Sequence, residues 1–149
     1  QNIDGLHQDA GNQEVLELHG TARFIGCLDC DARFPAGPMV AQFLETNLVP
    51  TCPDCQSPRM KHATVSFGQN LPTDVVQRAV DYAQECDLML ALGSSLQVYP
   101  AASIPEIAAK RGARLVIIND EPTPLDHLAH LVVHEKLGAA LTAVDQQLT

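Results

Sequence analysis

LMLALGSS, residues 88–95, is the stretch that decides the fold of this chain. Five apolar residues in an unbroken run, closed by Gly93, are typical of a strand that is buried on both faces of a parallel sheet. We therefore expect such a strand over 88–92. Open α/β sheets bind ligands outside the carboxyl ends of their strands, so a ligand crevice is expected at the turn formed by Gly93, Ser94 and Ser95.

Helical and strand patterns alternate along the chain on both sides of this run. Pro72 followed by Thr73 and Asp74 marks a helix start, and apolar positions then fall on one helical face as far as Ala83. The pattern further predicts strands over 115–118 and 131–133 and helices over 101–110 and 138–148. This alternation predicts an α/β fold in which a parallel sheet carries helices on both faces.

Polar residues follow two successive predicted strands. The hydroxyls of Ser94 and Ser95, with the free amides of their turn, suit sugar or phosphate oxygens. Asn119 and Glu121 follow the next strand and belong to the same edge of the sheet. A nucleotide site is one interpretation. A strand-to-helix turn capped by serine would give the same pattern.

Composition and charge exclude several functional classes. The chain has 149 residues, of which 46% are hydrophobic and 18% charged, as is usual for a globular domain with a real core. The net charge of −9 argues against nucleic-acid binding, since no basic patch offsets it. No apolar run approaches the roughly 20 residues that span a bilayer, so no membrane association is expected.

Two C-x-x-C pairs lie in a segment, residues 23–59, that we expect to be irregular except for a short helix over 40–44. Cys27 and Cys30 form one pair, Cys52 and Cys55 the other, and 21 residues separate them. This spacing predicts a structural zinc site with four thiolates. Two disulfides or a thioredoxin-like redox pair are the alternatives. Cys86, at the end of an apolar helix, is interpreted as a small buried hydrophobe.

One of the six histidines is a candidate for catalysis. His19 precedes Gly20 at the predicted junction between the α/β part and the cysteine-rich segment, where a cleft is expected. An imidazole there would act as a general base. A structural histidine at a junction is the alternative, and the residues alone favour it.

A series of motifs, in this order, resembles the sirtuin family of NAD-dependent protein lysine deacylases. The likeness runs from Gln1 to about Leu148, and its motifs are QNIDGLH, ELHG, the two C-x-x-C pairs, VSFGQNLP, GSSLQVYP and INDEPTP. The resemblance implies a Rossmann-like parallel sheet with helices on both faces plus a small zinc-ribbon-like module. Residues 1–22 and 65–149 would be the later part of the NAD-binding domain, and residues 23–64 the zinc-binding module.

The resemblance also implies roles for individual residues around NAD. His19 would be the general base that activates a ribose hydroxyl. Asn2 and Asp4 would line the pocket from which nicotinamide leaves, and they project to the same side of an extended segment. Gln1 would contact the nicotinamide ribose and Ile3 would pack on the ring. The remaining cofactor contacts would come from Gly93, Ser94, Ser95, Asn119 and Glu121.

The expected partner is an acylated lysine on a protein substrate. Val65, Phe67 and Gly68 would border its channel and pair with the peptide as an added strand. The implied products are nicotinamide, O-acyl-ADP-ribose and free lysine. The family usually has Glu where this chain has Gln69, and this difference is expected to alter peptide preference.

The glycine-rich turn, cofactor-binding loop and first helices of the family are not found in this sequence. We therefore expect an incomplete catalytic core that binds NAD weakly and turns over little in isolation. A non-catalytic zinc and nucleotide-binding interaction module and a protein ADP-ribosyltransferase are the rival functions. The absence of secretory features within these residues favours a cytoplasmic location, and the sequence leaves acyl-chain preference and oligomeric state open.

Overall fold

The computed structural model describes residues 1–148, which divide into two compact units. The first comprises Gln1–Val75, and the second begins at Val76. Among the described residues, no helix is long and apolar enough to cross a membrane.

The first unit is built on a small antiparallel sheet with strand order β2-β1-β3. Ile25, in the middle of the sheet, pairs with Phe34 on one side and with His62 on the other. The elements of this unit, including the start of a helix that continues beyond it, are α1 (Leu6–Asp9), β1 (Gly20–Cys27), β2 (Arg33–Pro35), α2 (Ala36–Thr46), β3 (Met60–Thr64) and α3 (Thr73–Glu85).

The prediction of an irregular segment over 23–59 is wrong. Its helix begins at Ala36 and runs to Thr46, and most of β1 and all of β2 also lie within it. The strand β1 contains Gly20 and Gly26, and its register with β3 is interrupted between Gly20 and Ile25. Glycines and a bulge break the alternation of apolar and polar residues by which a half-buried strand is recognised.

The second unit contains the predicted parallel sheet, with strand order β4-β5-β6. Leu90 pairs with Val116, and Val116 pairs with Leu131. The remaining elements are β4 (Leu88–Leu92), α4 (Ser103–Arg111), β5 (Arg114–Ile118), a 3₁₀ turn (Asp126–Leu128), β6 (Leu131–Val133) and α5 (Leu137–Leu148). The predicted α/β alternation is confirmed, with helix bounds shifted by one or two residues.

One face of this sheet holds the core of the second unit. Helix α4 packs against β4 and β5 on that face. Gly112 caps the C-terminal end of this helix, and its φ of 100° is left-handed, as is common for a glycine at this position. The buried residues of this core are Ala91, Leu96, Ala102, Leu115, Ile117 and Leu125.

The prediction that β4 is buried on both faces is wrong. Leu88 is 53% exposed, Leu90 50% and Leu92 37%, whereas Ala91 is 8% exposed. Successive strand residues point to opposite faces, so the three leucines share the face that α4 does not cover. Within the described residues β4 also pairs only with β5. Cys86 is half-buried against a small alanine cluster, close to its predicted role as a hydrophobe.

Candidate functional site

The four paired cysteines converge on one point of the first unit. Their sulfur atoms all lie within 4.8 Å of one another, with Cys27 3.5 Å from Cys55 and Cys30 3.7 Å from Cys52. Zn–S bonds of about 2.3 Å place tetrahedral sulfurs about 3.8 Å apart. The thiols are free, so the two disulfides of the alternative interpretation are not formed. The donor set therefore fits a closed tetrahedral zinc site.

Two turns of the same construction present these sulfurs. In each turn, the residue after the second cysteine donates its N–H to the carbonyl oxygen of the first cysteine: Asp31 to Cys27 at 3.2 Å and Gln56 to Cys52 at 2.8 Å. Asp31 and Gln56 both adopt left-handed φ angles, of 59° and 61°. The shared geometry explains why the two-residue gap aims both thiols of a pair inward.

The thiols differ in how readily they ionise. The amide of Asp29 donates to the Cys27 sulfur at 3.4 Å, and this hydrogen bond is the largest cause that lowers the pKa of Cys27 to about 7. For Cys30, the Ala32 amide lowers the pKa, but the neighbouring thiols and burial outweigh it and raise the pKa to about 12. Of these two thiols, Cys27 therefore loses its proton more readily.

A salt-bridged contact that the sequence analysis did not anticipate joins the two cysteine turns. The Asp29 carboxylate, in the first turn, accepts hydrogen bonds from the Ser57 hydroxyl and from Arg59 beyond the second turn. Its partners lie about 30 positions away in the chain, and sequence spacing gives no signal for them.

The first residues of the chain meet His7 around a cavity of about 240 Å³. Gln1 and Asn2, predicted to act beside nicotinamide, line it together with Asn12 and residues 14–17. Ile3 and Asp4 are exposed and do not line it. The Asp4 carboxylate instead accepts the Leu6 amide at 3.0 Å, at the start of α1.

His19, the predicted general base, is half-buried just before β1. Its carbonyl oxygen accepts a 2.8 Å hydrogen bond from the amide of Val65, one of the predicted peptide-binding residues. Gly20 follows with a φ of +69°, and a Cβ there would lie 2.1 Å from the carbonyl oxygen of Ala63. The structure therefore brings the main chains of His19 and Val65 together, and only glycine fits the first position of β1, next to the histidine.

The predicted peptide-binding loop is held from inside by Lys61. Its ammonium donates to the Thr64 carbonyl at 2.7 Å, to the Ser66 hydroxyl at 3.1 Å and to the Gln69 side-chain oxygen at 2.9 Å. The same Gln69 oxygen accepts the Ser66 amide. Phe67, at the tip of the loop, is 99% exposed. Gln69 thus closes the loop, a role that its position in the sequence does not indicate.

In the second unit, the predicted nucleotide-binding residues follow adjacent strands. The Gly93 amide donates to the Ile118 carbonyl at 2.8 Å, and the Asn119 amide donates to the Val133 carbonyl at 3.1 Å. Gly93 and Asn119 therefore stand at one edge of the sheet. A Cβ at Gly93 would lie 3.4 Å from Leu137, which starts α5. Ser95 is exposed and Ser94 is half-buried.

A network of polar contacts that was not predicted links Asn119 through His134 to Asp126. The side-chain N–H of Asn119 donates to the main-chain carbonyl of Glu121 at 2.7 Å. The main-chain carbonyl oxygen of Asn119 lies 3.2 Å from His134 Nδ1. His134 Nε2 lies 3.4 Å from the Asp126 carboxylate. The hydroxyl of Thr123 also donates to Asp126, and this hydrogen bond is the main cause that lowers the pKa of Asp126.

Comparison with known proteins identifies related sequences and structures. Residues 1–100 match the sequence model of the Sir2 family. An NAD-dependent protein deacetylase of Rhodopseudomonas palustris is 46% identical over 143 residues, which cover 95% of this chain and 56% of that protein. NAD-dependent protein deacetylase 2 of Streptomyces coelicolor is 46% identical over 146 residues, 97% of this chain and 60% of that protein.

A solved structure of a Sir2 protein with a p53 peptide and NAD+ is similar to this one. The match covers 99% of this chain and 60% of the chain in that structure. Its TM-score is 0.91 and its sequence identity 39%. The chain thus spans about three fifths of the length of the curated relatives it matches.

Proposed function

Because this chain belongs to the Sir2 family, we propose that it carries the general base, the peptide-binding loop and the zinc site of an NAD-dependent protein lysine deacylase. The observation that carries the proposal is the hydrogen bond between His19 and Val65. It joins the residue assigned to proton transfer to the loop assigned to the acylated peptide. The names of the relatives, which are protein deacetylases, support the same reaction.

Residues of both units are assigned to NAD. Gln1 and Asn2 would contact the nicotinamide end in the cavity that they line, while Ile3 and Asp4 complete the assigned segment. In the second unit the assigned residues are Gly93, Ser94, Ser95, Asn119 and Glu121. Bound NAD supplies a ribose carbon from which nicotinamide departs as a neutral leaving group. Such a site needs dipoles that orient the sugar and exclude water more than it needs a strong acid.

His19 would take the proton of a ribose hydroxyl that attacks the transferred acyl group. His19 is half-buried, so the residue keeps part of its surface in contact with solvent. Its main chain is fixed by Val65 and by the glycine that follows, so movement of the ring is confined to side-chain torsions.

The substrate would be an acylated lysine in a peptide that pairs with Val65, Phe67 and Gly68. Recognition through main-chain hydrogen bonds accommodates many peptide sequences. Phe67 projects fully into solvent from this loop, where it would meet the peptide. Lys61 and Gln69 would set the loop shape that the peptide meets.

Zinc would be held by Cys27, Cys30, Cys52 and Cys55. Four protein thiolates leave no coordination position for substrate, so the metal would stabilise the fold and take no part in the reaction. We assign residues 23–64 to this module and residues 1–22 and 65–149 to the later part of a Rossmann-like NAD-binding domain. Reduced thiols arranged for zinc suit a reducing compartment, and we propose a cytoplasmic location.

Product analysis tests the proposal against its rivals. The natural-length protein is incubated with NAD and an acetyl-lysine peptide, and products are separated by mass spectrometry. If the protein is a deacylase, the products should be free lysine, nicotinamide and O-acyl-ADP-ribose. The amount of each should be lower in His19→Ala than in wild type. ADP-ribose attached to protein would favour the transferase, and no NAD consumption by zinc-loaded protein would favour a binding module.

A further inference from the structure

Three successive carbonyl oxygens in the first segment of the chain are bound by two residues of β1. The Ala22 amide donates to the Ile3 carbonyl at 2.8 Å. The Arg23 side chain donates through Nε to the Asp4 carbonyl and through Nη2 to the Gly5 carbonyl, each at 3.1 Å. The main chain that carries Asn2 and Asp4 is therefore fixed by β1 over three consecutive residues.

Asp9 orients the guanidinium that makes two of these contacts. Its carboxylate accepts a short hydrogen bond from Nη2 of Arg23, and this bond is the largest cause that lowers the pKa of Asp9. The arginine side chain is 43% exposed and that of Asp9 56%. An exposed ion pair of this kind contributes little to stability, so its effect on the geometry of the segment matters more.

Gly5 leaves the space that the guanidinium occupies. A Cβ on Gly5 would lie 1.9 Å from Arg23 Nε, and its φ of +72° is left-handed. Gly5 is buried although its neighbours in the segment are exposed. Gly5 and Arg23 are thus a matched pair, since a side chain at position 5 would displace the guanidinium from both carbonyl oxygens.

We infer that Arg23, oriented by Asp9, is a positioning residue for the nicotinamide side of the site. It holds residues 3–5 against β1, so that Gln1 and Asn2 stay on the wall of their cavity. The inference rests on the proposed function. A planar guanidinium serves two carbonyls and a carboxylate at once, which the point charge of lysine does not reproduce.

The test compares Arg23→Ala, Arg23→Lys and Asp9→Asn with a control, Lys110→Ala, which removes an exposed ion pair on α4. In the natural-length protein we expect kcat/KM for nicotinamide release to fall about 10- to 100-fold in Arg23→Ala, the scale of a small misplacement at a reacting centre. Arg23→Lys should remain impaired and Asp9→Asn should show a smaller loss. Millimolar guanidinium chloride should partly restore Arg23→Ala, and methylammonium should not.

Thermal unfolding separates positioning from stability. Loss of an exposed ion pair lowers Tm by at most about 4 °C. Arg23→Ala also loses two hydrogen bonds to carbonyl oxygens, so its Tm should lie slightly below that of the α4 control. Wild-type kcat/KM in Arg23→Ala, or full activity in Arg23→Lys, would overturn the inference. The inference would also be overturned if the loss of activity across the variants simply paralleled their loss of Tm.

If the wild-type protein releases no nicotinamide, the proposed function is wrong, but the positioning role of Arg23 is not thereby tested. Hydrogen exchange tests that role without any measurement of activity. The amides of Leu6, Asp9 and Ala10 are bonded within this segment. They should exchange faster in Arg23→Ala than in wild type, while α4 stays unchanged. Equal exchange in both proteins would show that Arg23 does not hold the segment.

Discussion

The amide of Val65 donates a 2.8 Å hydrogen bond to the carbonyl oxygen of His19. The bond extends the pairing of β1 with β3, in which Gly20 lies opposite Thr64. A change in the loop proposed to bind the peptide would reach the main chain of the proposed base through this contact. Under the proposed assignments, peptide binding and the position of the base would be linked through this one main-chain contact.

His19→Ala should abolish most deacylation without unfolding the protein. Removal of a general base typically costs about 10²- to 10⁴-fold in rate. The measurement is formation of O-acyl-ADP-ribose by the natural-length protein, with His127→Ala as the matched control on the 3₁₀ turn. Equal rates in His19→Ala and wild type would contradict the assignment.

Gly20→Ala should destabilise the first unit by at least about 2 kcal/mol. The new Cβ would meet the Ala63 carbonyl at 2.1 Å, and its φ of +69° is unfavourable for alanine. Urea unfolding measures the change. Gly37→Ala, on α2 with nothing within 4 Å of its added Cβ, should be neutral or stabilising by about 0.5–1 kcal/mol. Similar losses in both variants would refute the steric argument.

Zinc removal should unfold the cysteine-rich part of the chain. A strong chelator or Cys30→Ser should eliminate stoichiometric zinc and increase hydrogen exchange over 27–64, because metal binding contributes folding free energy directly. Thiolates are the ligands, so zinc affinity should also fall as pH is lowered. Cys86→Ser, away from the cluster, should retain full zinc content. Zinc loss in that variant would place a ligand outside the predicted set.

The Asp126 network should stabilise the second unit at neutral pH and fail in acid. Its folded pKa lies below the ordinary value of 3.8, chiefly because of the Thr123 hydroxyl. A depressed carboxyl pKa gives stability that is complete above the unfolded pKa and is lost as pH falls through the folded one. The difference in unfolding free energy between wild type and Asp126→Asn should therefore shrink as pH falls below about 4. If the difference in unfolding free energy instead grew as pH fell below about 4, the predicted direction of the pH dependence would be wrong.

The parallel strands were predictable because their apolar runs are continuous and end at turn residues, as Leu92 does before Gly93. The spacing of the four cysteines likewise predicted their convergence, since a metal imposes it. The antiparallel strand β1 was missed because glycines and a bulge interrupt its alternation.

Other features depend on contacts that residue identity does not encode. Arg23 acts on carbonyl oxygens, which every residue possesses, so no pattern marks its partners. The effect of Gln69 on peptide preference stays a prediction, whereas the contacts of its oxygen with Lys61 and Ser66 inside the loop had no signal in the sequence. The exposure of Leu90 depends on what packs over the sheet, and an apolar run does not reveal that.

The exposed leucines of β4, at positions 88, 90 and 92, affect the tendency of the purified chain to self-associate in solution. Within residues 1–148, one edge of β4 has no neighbouring strand, and an exposed apolar edge of this kind is a template on which another copy can add a strand. The net charge of −9 opposes such association by mutual repulsion, which salt screens. Light scattering from concentrated samples should accordingly rise with ionic strength, and low-salt buffers should keep the chain dispersed.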